Sequence, residues 1–274
     1  SRAVRFQPQI PRPWPDRRRS DTTRDSIEWA AIAPGKGMAL PVEPEFRDHR
    51  SSVQLVTAVR RLVSDGIVVE GGDLTPADRD LLLEEELSLG NVVPARRREF
   101  RAGRFYARQA LQGFGAGGIV IPIGDNRAPV WPTAIVGSIS HTRNLWVVAV
   151  GSSTEFLGVG IDIEEDSPLS CELARLVSDA AELEGREEIE GGLGCDLPKL
   201  LFVIKEAFYK MYFPLTGRFL AFHDVRVELD VENHAAEARI VPSKHLAAID
   251  SRCFEGRFGS SDGTLFSCFE LSAR

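Results

Sequence analysis

Four cysteines stand among 274 residues, at positions 171, 195, 253 and 268, with no C-x-x-C pair and no clustering. That spacing gives no disulfide framework and no zinc knuckle, and points to free thiols in a reducing compartment, the cytoplasm. Long apolar runs are missing too: the longest, Leu145–Val150, is far too short to span a bilayer. No apolar stretch near the start resembles a secretory signal. Positive charge is in deficit, with 33 Lys and Arg against 40 Asp and Glu. Seven of those arginines fall in the first 24 residues, so the remainder carries about −12. Such an acidic body excludes bulk nucleic-acid binding, though not a local phosphate site. A hydrophobic content of 43% in a chain of this length is enough to build a sizeable core.

Residues 1–47 read as a disordered leader or extension. Pro8, Pro11, Pro13 and Pro15 interrupt any helical or strand period there. Packed-domain signals begin at about residue 48. Val53, Val56, Val59 and Val63 recur at helical spacing. Thr75-Pro76-Ala77-Asp78 is an N-cap with proline at the first helical position, predicting a helix that runs to about Leu89 and stops at Gly90. A second helix is predicted over 95–112, before Gly113 and Gly115. Short strand-like runs follow at 119–122, 145–150 and 157–163. Beyond a helix over 198–213, strands are predicted at 225–229 and 238–241, and a hairpin of 252–258 with 264–271 around Gly259–Gly263. Helices mixed with mostly antiparallel strands make the fold class α+β.

Four segments carry chemistry. Arg97, Arg101, Arg104 and Arg108 lie at i, i+4, i+7 and i+11, one basic helix face flanked by Arg96 and Arg98. Such a face either pairs with the acids of Glu84-Glu85-Glu86 or cradles a polyanion. In Gly137-Ser138-Ile139-Ser140-His141, small residues admit a ligand while Ser and His can donate to phosphate oxygens. In Gly158-Val-Gly-Ile-Asp162-Ile-Glu164, the strand period of two puts Asp162 and Glu164 on one face, where they are exposed or share a cation. An EF-hand is excluded, because the sixth position is Ser167 and the twelfth Leu173. The fourth segment, Leu200–Phe213, is apolar on nearly all sides except at Lys205, Glu206 and Lys210. Charges on so apolar a helix require partners, and these three are predicted to face each other, a metal or an anion.

In this order, the three motifs G-S-I-S-H, G-V-G-I-D-I-E and F-x-x-K-E-A-F-Y-K resemble the signature set of the 4′-phosphopantetheinyl transferases of the monomeric surfactin type. The preceding R-R-x-E-F-x-x-G-R-x-x-A-R helix is similar to the enterobactin-pathway and actinobacterial subgroup, and the resemblance spans roughly residues 94–228. It implies two similar α+β lobes related by a pseudo-twofold axis, here 48–156 and 157–274, in a monomer with coenzyme A in the cleft. It implies transfer of the phosphopantetheine arm of coenzyme A to a serine of an acyl, peptidyl or aryl carrier protein, releasing adenosine 3′,5′-bisphosphate. Nucleic acid and membrane are not among the implied partners. Mg²⁺ would be held by Asp162, Glu164 and Glu206, with Glu206 as base and Lys210 against the transferring phosphoryl group. Arg96, Arg104, Ser140 and His141 match positions that contact the nucleotide end.

One departure falls in the turn Gly124-Asp125-Asn126-Arg127-Ala128-Pro129. Enterobactin-type relatives commonly carry Lys then Arg there, and some actinobacterial ones a Lys where this chain has Ile123. Here Asn126 is neutral and Arg127 is the turn's only cation. Two rival functions have the same residues in view: a coenzyme A- or carrier-binding module without transfer, and a Mg²⁺-dependent phosphodiesterase.

Overall fold

An uninterrupted apolar run accounts for a central strand buried on both faces. In the computed structural model, which describes residues 49–73, 81–124, 127–142, 144–244 and 246–273, the run Leu145-Trp-Val-Val-Ala-Val150 becomes strand β3 (Leu145–Ser152). It lies between β1 (Val68–Asp73) and β2 (Ile135–Thr142), antiparallel to both. Alternation then divides its side chains. Trp146, Val148 and Val150 pack on the helix Pro94–Gln112, while Leu145, Val147 and Ala149 face the helix His49–Arg60 and the next strand, β4 (Phe156–Glu165).

We number the helices in chain order: α1 (His49–Arg60), α2 (Leu83–Leu89), α3 (Pro94–Gln112), α4 (Cys171–Val177), α5 (Arg186–Leu193) and α6 (Leu197–Thr216). A second, five-stranded antiparallel sheet has the order β4-β8-β7-β6-β5, with β5 at Val225–Asp230, β6 at Ala235–Ile240, β7 at Cys253–Ser261 and β8 at Thr264–Ser272. Helix α6 lies on this sheet, its Phe208 ring meeting Phe254 and Phe269 at 5.1 and 5.6 Å. The expected α+β class holds, in two sheets of three and five strands.

The sheets meet where β2 runs beside β4. Ser138 Oγ accepts from the Ile161 amide at 3.1 Å and Ser140 Oγ from the Ile163 amide at 3.2 Å. Serine hydroxyls thus serve amides on an outer edge of the five-stranded sheet, which buried backbone requires.

Several expectations need correction. The run at 119–122 is not a strand: buried Glu85 accepts the Ile121 amide at 3.0 Å and Arg104 Nε donates to the Ile121 carbonyl at 2.6 Å, so side chains replace a ladder. Strands β1 and β2 and the short helices α4 and α5 were not expected. Helix α6 continues past Phe213, through Pro214, to a left-handed cap at Gly217. The final hairpin turns tightly, because Asp262 and Gly263, at φ 47° and 67°, form a two-residue loop and Gly259–Ser261 stay in the strand. The helix predicted to run from the Thr75–Asp78 cap begins only at Leu83, after an extended Leu82, while its stop at Gly90 is as expected. The leader over 1–47 and the Thr75–Asp78 cap lie outside the described residues. Among those described, no helix is long and apolar enough to cross a membrane.

Candidate active site

Close packing of β4 against α6 sets the site. A Cβ on Gly160 would fall on the Ala207 carbonyl and 2.5 Å from the Met211 amide, so only glycine lets the helix lie this near the strand. Asp196 caps α6 by accepting the Lys199 amide at 3.0 Å, with Pro198 in the first turn. From that start Lys199, Glu206 and Lys210 fall at i, i+7 and i+11, on one face.

That face meets the acids of β4. Lys210 Nζ donates to Asp162 Oδ1 at 2.6 Å and to Ser140 Oγ at 3.1 Å, and Ser140 Oγ donates to the same carboxylate oxygen at 2.8 Å. Lys199 Nζ donates to Glu164 Oε2 at 2.9 Å. Glu206 is partly buried. Desolvation, reinforced by Asp162 and Glu164 and opposed by Lys210, pushes its carboxyl up to about 8. Desolvation and Asp162 also raise Glu164, against the pull of Lys199. Burial by itself would lower Lys210, but Asp162 and Glu206 outweigh it and hold the ammonium above its ordinary value.

His141 extends the site toward α3. Its ring stacks on Trp146, centroids 5.8 Å apart. Burial lowers its value, Lys210 and Arg96 push the same way, and Glu99 opposes. Arg96 also pairs with Glu99 at 3.1 Å. The basic face predicted on α3 is mostly spoken for: Arg97 pairs with Glu86 and Arg108 with Glu85. Arg104 is buried over the Phe100 ring at 4.1 Å, its Nε on the Ile121 carbonyl, and burial brings its value down to about 10.

Asp162, Glu164, Glu206, Lys210, Ser140 and His141 are therefore gathered by the fold. Lys205 is not: one residue from Glu206, it turns about 100° away. There it donates to Glu182 and to the Val177 and Phe222 carbonyls, at 2.8, 2.8 and 3.1 Å. The expectation that it faces the site is corrected; it is a buried structural ion pair. Lys199 was missed, and its signal was the i, i+7, i+11 spacing with Glu206 and Lys210. Arg127 lies in the turn after Gly124, exposed and at φ 64°. Asn126 lies outside the described residues.

The donor set suits a hard divalent cation. Asp162 is 3% exposed and its Oδ2 is buried without a hydrogen-bond partner, beside two further carboxylates. Among the described residues no three such side chains are already drawn into a metal shell, and lysines take one oxygen each of Asp162 and Glu164. A groove on the outer face of the five-stranded sheet, lined by Glu228, Glu237, Arg239 and Glu270, includes none of these groups.

A strand carrying two acids, faced by Glu and Lys on a helix with Ser and His beside them, gathers titratable groups as an active site does. Comparison with known proteins gives the family. Residues 84–151 match the model of the 4′-phosphopantetheinyl transferase N-terminal domain, and 158–252 that of the 4′-phosphopantetheinyl transferase superfamily. The 4′-phosphopantetheinyl transferase Npt of Nocardia iowensis is 34% identical over 172 residues, covering 62% of this chain and 77% of Npt. The 4′-phosphopantetheinyl transferase Svp of Streptomyces mobaraensis is 32% identical over 200 residues, 70% of this chain and 79% of Svp. Enterobactin synthase component D of Escherichia coli K12 is 34% identical over 137 residues, 48% of this chain and 63% of the relative. The chain belongs to the 4′-phosphopantetheinyl transferase family and is an enzyme of that class.

Proposed function

We propose that this enzyme moves the 4′-phosphopantetheine arm of coenzyme A onto a serine hydroxyl of an apo acyl, peptidyl or aryl carrier protein. The new bond joins the serine oxygen to the β-phosphorus, the pyrophosphate P–O bond breaks, and adenosine 3′,5′-bisphosphate leaves with the electron pair. The observation that carries this reading is the meeting of Lys210 with Asp162 and Ser140, with Glu206 and His141 within electrostatic reach of the same ammonium.

Asp162, Glu164 and Glu206 would hold Mg²⁺, and the orphaned Asp162 Oδ2 supports that assignment. The cation, when bound, neutralises pyrophosphate charge. Glu206 takes the serine proton. Burial and the neighbouring acids raise this carboxyl in the metal-free protein, and a bound cation would return it to the ionised form that accepts a proton. Lys210 stabilises charge on the transferring phosphoryl group. Arg96, Arg104, Ser140 and His141 orient the adenosine 3′-phosphate, and Asn126 and Arg127 are assigned to coenzyme A binding from the sequence alone.

Lobes 48–156 and 157–274, related by a pseudo-twofold axis in a monomer, would place coenzyme A over the β2–β4 junction. The four free cysteines agree with a cytoplasmic enzyme. The test incubates the full chain with coenzyme A, Mg²⁺ and an apo carrier protein, then weighs the carrier by mass spectrometry. A carrier heavier by one phosphopantetheine, with the gain lost in EDTA and in Glu206→Gln, is expected. Binding without mass gain identifies the non-transferring module. Cleavage of coenzyme A with an unmodified carrier identifies the phosphodiesterase.

A further inference from the structure

Lys199 belongs to no motif that pointed to the site, yet its side chain ends in it. It opens α6 with its amide on the Asp196 cap, and its side chain is 9% exposed. Its Nζ lies 2.9 Å from Glu164 Oε2 and 5.3 Å from the Phe202 ring centroid. The cap thus fixes the backbone from which the ammonium reaches, and the phenyl ring flanks its far end. Glu164 sits near the exposed end of β4, two residues beyond Asp162, and its side chain is 23% exposed. A glutamate there, with three rotatable bonds and water on one side, would sample several rotamers without a fixed partner.

The two lysines of this face act in parallel. Lys210 takes Asp162 Oδ1 and leaves Oδ2 buried and unpartnered, while Lys199 takes Glu164 Oε2. In each case an ammonium holds one carboxylate oxygen, which restrains the rotamer of the whole carboxylate. Outer partners of this kind orient ligating groups in metal sites generally.

From this geometry we infer that Lys199 is a positioning residue: it clamps Glu164 Oε2 so that the carboxylate is pre-oriented for the divalent cation. The inference rests on the cation site proposed above. Lys199 touches neither coenzyme A nor the carrier serine; it acts through Glu164 alone.

The experiment titrates Mn²⁺ into the full chain with coenzyme A present and no carrier, following free Mn²⁺ by electron paramagnetic resonance. The wild type is expected to bind one ion per chain. Lys199→Met is expected to weaken that binding by about 10- to 100-fold, while Lys199→Arg, which keeps the donor and charge, stays within a few-fold of wild type. If Lys199→Met melts below the assay temperature, Lys199→Gln takes its place with the same expected direction. Unchanged or tighter Mn²⁺ binding in the neutral variants overturns the role of Lys199 and leaves the cation site intact. No Mn²⁺ binding by the wild type overturns the site itself, and the clamp with it.

Discussion

Gly160→Ala tests the packing that builds the active site without touching any charged group in it. The added Cβ would meet the Ala207 carbonyl, lie 2.5 Å from the Met211 amide and 2.8 Å from Met211 Cβ. The first two are helix backbone, which cannot rotate aside, so α6 must move off β4. Overpacking of this kind costs about 1–3 kcal/mol. At roughly 2–4 °C per kcal/mol for a domain of this size, the melting temperature should fall by about 2–12 °C. The larger consequence is for chemistry. Glu206 and Lys210 flank the clashing turn, and the 2.6 Å bond from Lys210 to Asp162 has no slack. A displacement near 1 Å costs on the order of 100-fold in rate. Calorimetry and carrier-modification kinetics on Gly160→Ala measure both, with Gly192→Ala as control, since a Cβ there meets nothing within 4 Å. A Gly160→Ala enzyme with wild-type melting temperature and turnover would refute the close-packing argument. Lost turnover at unchanged melting temperature would show that Gly160 matters to a ligand rather than to the helix.

Three further outcomes are expected. Between the ordinary carboxylate value of 4.5 and about 8, the folded metal-free protein holds a proton on Glu206 that the unfolded chain has released, so its stability falls as pH rises through that window. Glu206→Gln removes this slope, and its melting temperature relative to wild type should climb from pH 4.5 to 8; a difference flat with pH contradicts the assignment. Lys205→Met leaves Glu182 buried and uncompensated and should destabilise the fold by about 3–5 kcal/mol in chemical denaturation, with the coenzyme A Michaelis constant of the folded enzyme unchanged. His141→Ala should lose about 1.5–3 kcal/mol of the preference for coenzyme A over its dephospho form, measured as a ratio of kcat/KM; an intact preference removes His141 from the 3′-phosphate.

What the sequence determined by itself follows from short-range rules. Proline and glycine punctuation and the 3.6-residue period located α3 and α6 to within a few residues. An uninterrupted apolar run located β3, and three ordered motifs carried the family. These signals are local, because caps, turns and alternation depend on neighbours in the chain. Other outcomes depended on what lies across the fold. The run at 119–122 looks like a strand, but Glu85, 36 residues before Ile121, takes the Ile121 amide. Lys205 and Glu206 are adjacent and both charged, yet helix geometry sends one to Glu182 and the other to the acids of β4. Periodicity shows which residues share a face of α6; it does not show which face meets β4. That was decided by the glycines of β4, which allow one close approach, and by the buried acids waiting on either side. Lys199 gained its place the same way, because an ammonium on a buried face must find a carboxylate and Glu164 was the one within reach.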